Sequence, residues 1–228
     1  MSKNVVTRID GPVPVRHVLI SVSDKTGLDK FVPALVKAAP GVKIISTGGT
    51  FSHIEGILGK AAKAVLIPVS EYTGQPETQG GLVKTLDFKV YLGLLTETYN
   101  DAHQKDMART GAVPIDMVVA NLYPFSSTIA EPGTTPEHAR GEIDIGGPCM
   151  IRAAAKNYLR VAAVVEPADY QMVTDEIAAN NGSTLPRTRY RLARKAFRLT
   201  ATYDRAIADY FRDTPFDTVS PHYHIVYP

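Results

Sequence analysis

The sequence predicts a three-layer α/β fold around a mostly parallel sheet, and three observations carry the prediction. Short runs of β-branched residues alternate with longer amphipathic stretches. The runs are continuously apolar, as strands covered by helices on both faces are. Loops rich in Gly, Ser and Thr follow the first two runs, where an open α/β sheet binds its ligands. At 228 residues the chain is long enough for one substantial core and a smaller appendage.

Taken in order, HVLISV (17–22) reads as the first strand and LDKFVPALVKAA (28–39) as a helix, which Pro33 would kink unless it lies near the start. KIIST (43–47) is a second strand and TFSHIEGIL (50–58) a short helix. AVLIPV (64–69), MVVANLYPF (117–125) and VAAVVEP (161–167) complete the strands, with Pro124 stopping the second of these three. From Pro186 to Phe211, a helical stripe runs through Ala193, Ala196, Phe197, Thr200, Tyr203, Ile207 and Tyr210. Arg187, Arg189, Arg191, Arg194, Lys195 and Arg198 accompany it and read as a solvated face, since no stacking platform or RNA motif goes with them. From Thr214 periodicity is lost, so 214–228 reads as a tail or a contact with a partner subunit.

Composition narrows the function classes. Hydrophobic content of 44% and charged content of 21% are ordinary for a globular domain. A net charge of +2 gives no ground for nucleic acid or an anionic membrane surface as partner. Cys149 is the only cysteine, which rules out an internal disulfide and suits a reducing cytoplasm. The opening MSKNVVTRID has no apolar core of a signal peptide, and no apolar run is long enough to span a bilayer. Six scattered histidines and one cysteine make no metal-ligand pattern, and no Walker loop, nucleophile elbow or dinucleotide fingerprint is present.

Four segments carry candidate chemistry. SVSDKTG (21–27) supplies Ser21, Ser23 and Lys25 at a strand end. STGGT (46–50) supplies Ser46, Thr47 and Thr50 around Gly48 and Gly49, ahead of a helix. Two such loops on consecutive strands favour a phosphate cradle over simple caps and turns. The connection 72–93 carries Lys84 and Thr85; from the residues alone Lys84 reads first as a solvated loop lysine and second as a group over the same cleft. NLYPF (121–125) places Asn121 and Tyr123 at the same sheet edge, or leaves them a turn former and a core-edge residue. Finally, IDIGGPCMIRAAAKN (143–157) brings Asp144, Gly146 and Gly147 before Pro148, which suits a helix's first turn. Cys149, Arg152 and Lys156 then share one helical face. Two readings fit this stretch: a helix N-terminus open to a polar, anionic small molecule, or a Gly-Pro turn into an Ala-rich packing helix.

In their order, SVSDKTG, STGGT, EYTG-P, VKTL, PIDMVV-NLYPF, IDIGGP–RAAAKN and KAF–TA-YD resemble the IMP cyclohydrolase domain of the bifunctional purine-biosynthesis enzymes. The resemblance covers about 16–213, with the C-terminal helical part from about 167, a tail at 1–15, and the formyltransferase half absent. It implies a methylglyoxal-synthase-like fold and closure of formyl-aminoimidazole carboxamide ribotide (FAICAR) to IMP with loss of water. No cofactor or metal is implied, and a homodimer and a separate formyltransferase are. By the same resemblance Lys156 is the catalytic lysine, Lys84 a second active-site lysine, Asp144 the acid on the carboxamide, and Tyr123 and Asn121 contacts to base and intermediate. Ser21, Ser23, Lys25, Ser46, Thr47, Gly48, Gly49 and Thr50 match phosphate-binding positions, and Thr85, Leu122, Ile145 and Gly146 further substrate contacts.

The family usually reads GRVKTLHPK-HGG where this chain has GLVKTLDFKVYLG. Leu82 replaces an arginine, Asp87 and Phe88 replace His-Pro, Tyr91 and Leu92 replace His-Gly, and Leu199 replaces a histidine. Two other functions are weighed beside ring closure. One is a nucleotide-sensing domain without turnover, motivated by the altered 82–92 loop. The other is a methylglyoxal-synthase-like lyase, which the TGGT loop also fits.

Overall fold

A computed structural model describes residues 5–75 and 84–228. Its strands are β1 (Val13–Pro14), β2 (His17–Ser21), β3 (Lys43–Ser46), β4 (Leu66–Pro68), β5 (Met117–Ala120), β6 (Ala162–Val164) and β7 (Ser183–Thr184). Its first six helices are α1 (Leu28–Ala38), α2 (Gly48–Leu58), α3 (Ala62–Val65), α4 (Val69–Thr73), α5 (Phe88–Leu95) and α6 (Asp101–Thr110). They are followed by α7 (Phe125–Ala130), α8 (Pro136–Gly141), α9 (Gly146–Lys156), α10 (Tyr170–Ala179), α11 (Pro186–Asp213) and α12 (Phe216–Val219). Five strands form a parallel sheet in the order β4-β3-β2-β5-β6. The chain moves outward from β2 through β3 to β4, then returns to the other side of β2 for β5 and β6. That reversal opens a crevice beyond the carboxyl ends of β2 and β5, the usual ligand position in such sheets.

Alternation along each strand divides the core. Val18 and Ile20 of β2, with Met117 and Val119 of β5, pack against α1, α2 and α10. Leu19 and Val118 point the other way, onto α5, α9 and α11. The three-layer expectation therefore holds, while several element boundaries move. The 64–69 run is split: Ala62–Val65 is a helical turn, only Leu66–Pro68 joins the sheet, and Val69 begins α4. A short apolar run does not by its pattern distinguish a buried turn from a strand. The 117–125 strand stops at Ala120, because the side chain of Asn121 turns to a neighbouring loop and Phe125 already starts α7. α2 starts at Gly48, two residues before the expected position.

α1 continues through Pro33, where Pro33 and Asp29 are both exposed. Water can thus serve the Asp29 carbonyl that proline leaves without a donor. The tails are also partly structured: β1, within the expected N-terminal tail, pairs antiparallel with β7, and Tyr223 donates to Glu137 Oε2 at 2.8 Å.

The basic run on α11 is not one solvated face. Arg189 is fully buried, and its guanidinium donates to the carbonyls of Asp10, Gly11, Tyr158, Leu159 and Thr184 at 2.7–3.1 Å. Loss of hydration pushes its pKa down to about 10. Lys195 bridges Glu166 and Asp169 at 2.7 and 2.8 Å. Gly93 in α5, whose carbonyl accepts from the buried Arg160, has no room for a side chain, since a Cβ would lie 2.5 Å from the Val113 carbonyl and 2.9 Å from Ile115 Cγ1. Gly93→Ala is expected to lower stability by about 1–3 kcal/mol, the range for overpacking a tight contact. A denaturant titration in which the midpoint is unchanged would contradict it.

Candidate active site

The crevice at the sheet's switch point is a half-open cleft of about 510 Å³, within the range of small-molecule sites. Register explains which loops meet there. Ser21 stands opposite Ala120 and Ile20 opposite Ser46, so the segments after β2, β3 and β5 emerge side by side. Asn121 ties two of them together: Oδ1 accepts from the amides of Ser23 and Asp24 at 2.7 and 2.9 Å, and Nδ2 donates to the Asp24 carbonyl at 2.7 Å. Thr50 ties the third, accepting from the Val22 amide at 3.1 Å and donating to its carbonyl at 3.0 Å. Ser21 and Thr47 share a hydroxyl–hydroxyl bond of 2.8 Å.

At one end of the cleft lies the start of α2. Its N-cap, Thr47, makes no side-chain cap bond, so the first amides of the helix face the cleft with the positive end of its dipole. Gly48 has φ +34°, and a Cβ there would sit 3.8 Å from Lys84 Nζ. The Lys84 ammonium therefore stands over this helix start, with Lys25 also on the wall. Bare amides, hydroxyls and two lysines make this the anion-binding end.

The other end is built differently. Asp144 Oδ1 accepts from the Gly147 amide at 2.8 Å, so the carboxylate caps α9. Pro148 has no N–H to offer. The second helix start thus already holds an anion of its own, and the open-terminus reading applies to α2 rather than α9. Burial pushes the Asp144 carboxyl above its ordinary pKa, while hydrogen bonds from the amides of Gly147 and Tyr123 oppose the rise. Burial first, then the charges of Asp144 and Glu142, push the Tyr123 phenol up, with Lys84 pulling the other way. Tyr123 is therefore a protonated donor beside a carboxylate. Ile143, Ile145 and Met150 supply apolar wall. Side chains at 146 and 147 have no space: a Cβ on Gly146 would meet Thr85 Oγ1 at 2.7 Å, and one on Gly147 would meet Asp144 Oδ2 at 2.4 Å and Leu122 Cδ2 at 2.8 Å.

Of the expected site residues, Ser21, Ser23, Lys25, Thr47, Gly48, Gly49, Thr50, Lys84, Thr85, Asn121, Tyr123, Asp144, Ile145 and Gly146 line one cleft. Three do not. Ser46 is buried, donating to the Ile20 carbonyl at 2.7 Å, and Leu122 packs behind Gly147. Lys156 is exposed at the far end of α9. It stands six residues, about 9 Å along the axis, beyond Met150, the last residue of α9 on the cleft wall. Asn121 and Thr50 line the cleft but commit most of their polar atoms to its scaffold. Leu82 lies outside the described residues. The other departures fall off the cleft wall: Asp87 caps α5, accepting from the Lys89 amide at 2.7 Å, and Tyr91 and Leu199 pack on the α5/α9/α11 core. Sequence reasoning missed Tyr203 on α11, whose hydroxyl accepts from the Asp144 amide at 2.8 Å and donates to the Glu142 carbonyl at 2.9 Å. The TA-YD motif was its one signal.

Two family models match the chain: an MGS-like domain over 27–149 and the AICARFT/IMPCHase bienzyme over 154–226. The bifunctional purine biosynthesis protein PurH of Ruminiclostridium cellulolyticum is 47% identical over 207 residues, covering 91% of this chain and 39% of that protein. PurH of Bradyrhizobium diazoefficiens is 50% identical over 202 residues, covering 89% and 37%. The chain thus spans about two fifths of the length of the curated relatives it matches. The crystal structure of ForH superposes with a TM-score of 0.72 at 31% identity, covering 86% of this chain and 98% of ForH. The chain belongs to the MGS-like domain family and corresponds to the IMP cyclohydrolase part of the AICARFT/IMPCHase bienzyme family.

Proposed function

We propose that this chain is an IMP cyclohydrolase, closing FAICAR to IMP with loss of water at the end of purine synthesis. The observation that supports it best is the polarity of the cleft, with an anion cradle at α2, the Tyr123–Asp144 pair at the other end, and Lys84 facing both. The ribotide's phosphate fits the first end, and its planar ring the apolar wall of Ile143, Ile145 and Met150. The name and family model of the PurH relatives supply the pathway.

The chemical difficulty is that an amide nitrogen attacks a formamide carbon while its lone pair is delocalised. Both groups belong to one molecule, so the protein's task is to hold the reactive rotamer and stabilise the charge that develops. In this reading Asp144 orients the carboxamide and accepts its N–H proton as the C–N bond forms. Negative charge gathers on the formyl oxygen, where Lys84 meets it and Tyr123 donates. The C–O bond then breaks as the formamide nitrogen gives up its N–H proton and forms the ring C=N bond. The oxygen leaves as water carrying two protons, one returned from Asp144 and one equivalent to that released by the formamide nitrogen. Lys156, the catalytic lysine by resemblance, does not line the cleft of one chain and is given no step in this reading. A homodimer, and a separate formyltransferase that supplies the substrate, belong to the same proposal.

The test is to mix purified protein with the formylated ribotide and follow IMP by ultraviolet absorbance. Closure well above the uncatalysed rate is expected. Tight nucleotide binding without closure would replace this reading with a sensor. Lys25→Ala is expected to raise KM by about 10–100-fold with kcat little changed, the loss of one charge-assisted contact of about 1.5–3 kcal/mol. A fall confined to kcat would contradict that assignment.

A further inference from the structure

We propose that Tyr203 is a positioning residue for Asp144, holding the 142–144 turn so that the carboxylate meets both the start of α9 and the cleft. The inference rests on the functional reading above, and its geometry stands apart from it. Tyr203 lies on α11, 59 residues from Asp144 in sequence. Its hydroxyl is bonded twice within that turn, accepting from the Asp144 amide at 2.8 Å and donating to the Glu142 carbonyl at 2.9 Å. The turn links α8 to α9, and these two groups are ones that neither helix satisfies internally. The ring has little freedom to drift, being buried against Phe125 at 6.2 Å between centroids, within the small cluster that includes Ala139. Burial pushes the phenol's ionisation up, so the hydroxyl remains a donor throughout the range in which Asp144 titrates.

The consequence falls on the carboxylate. With the 144 backbone fixed from outside, Oδ1 reaches the Gly147 amide while Oδ2 lies over Gly147, in the space that its missing side chain leaves. Without the bridge the 142–144 backbone keeps the bonds of Glu142 and Ile143 back into α8. The carboxylate keeps the Gly147 and Tyr123 amides, but nothing from α11 fixes the Asp144 amide. The carboxylate then gains water and loses its fixed direction toward the cleft. The titratable groups facing it are Tyr123 after β5, Glu142 in the same turn, and Tyr203 followed by Asp204 on α11, with Lys84 across the cleft.

Tyr203→Phe keeps the ring and its packing and removes only the bridge. It is expected to lower kcat by about 10–100-fold, the scale of a small misplacement of a reacting group, with KM nearly unchanged. Because better hydration lowers a carboxyl pKa raised by burial, the acid limb of kcat/KM moves to lower pH. In an Asp144→Asn background the same change adds no further loss. A residue that merely stabilises the fold would cost activity equally in both backgrounds and leave the limb in place, and either result overturns the proposal. A second readout does not depend on turnover: carboxyl carbon NMR, with the Asp144 signal assigned by its disappearance in Asp144→Asn. A lower Asp144 pKa in Tyr203→Phe supports the bridge even if the wild type fails to close the ring, an outcome that would sink only the functional reading. An unmoved pKa removes the bridge whatever the activity.

Discussion

Lys84→Ala is expected to reduce kcat for ring closure by about 10²–10³-fold, the effect of removing one fixed group from a developing oxyanion. The size follows from position. Lys84 Nζ stands over Gly48 at the anion end and also acts on the Tyr123 phenol at the other, so its charge spans the site. A ligand bound by its phosphate brings the reacting oxygen into the same field. Because this charge is met more strongly in the transition state than in the bound substrate, the loss belongs mainly in kcat. Lys25, whose ammonium also donates to the Ser23 carbonyl at 3.3 Å, is the contrast: on the proposed function it serves the phosphate alone. Steady-state kinetics on both variants separate the roles. A Lys84→Ala enzyme within about threefold of wild-type kcat, roughly 0.7 kcal/mol, would remove Lys84 from the chemistry and reduce it to a binding group.

Arg189→Met is expected to cost the fold about 3–5 kcal/mol, since it leaves several buried carbonyls without donors. For a chain of this size that is a fall in Tm of about 6–20 °C. Five carbonyls from three separate stretches converge on this guanidinium: residues 10–11, residues 158–159 and the end of β7. Methionine fills much of the volume but donates nothing. Arg189→Lys restores a donor with a different geometry, and an intermediate melting point is expected. Thermal melts on the three proteins decide the matter, and equal midpoints would show that water replaces the guanidinium without penalty. The cleft lies at the other end of the sheet, so kcat in the folded fraction is expected to be unaffected.

The sheet and its binding edge were legible because continuous apolar runs and small-residue loops report burial and backbone approach directly. β2 and β3 followed from HVLISV and KIIST, and β5 from MVVANLYPF, a run read five residues past the strand's end at Ala120. Two features of the site were not legible. That Asp144 caps α9 instead of leaving its amides open depends on the turn's conformation, which a run of IDIGG does not specify. Lys156 shares a helical face with Cys149 and Arg152, but sharing a face says nothing about distance along the axis, and the length of α9 alone separates it from Asp144. Arg189 was hidden by its neighbours. The α11 stripe through Ala193, Ala196, Thr200 and Tyr203, extended back by one turn, lands on it, but a positive charge among five others reads as surface.

On the proposed function, the self-capped start of α9 also decides which way round a ligand lies. Both ends of the cleft carry a helix start, and two open starts would accept a phosphate at either, giving two superimposed binding modes of which one is idle. With Asp144 holding one of them, a dianion is repelled there and drawn to α2. The affinity of a group that never reacts is thereby converted into a compass bearing for the group that does.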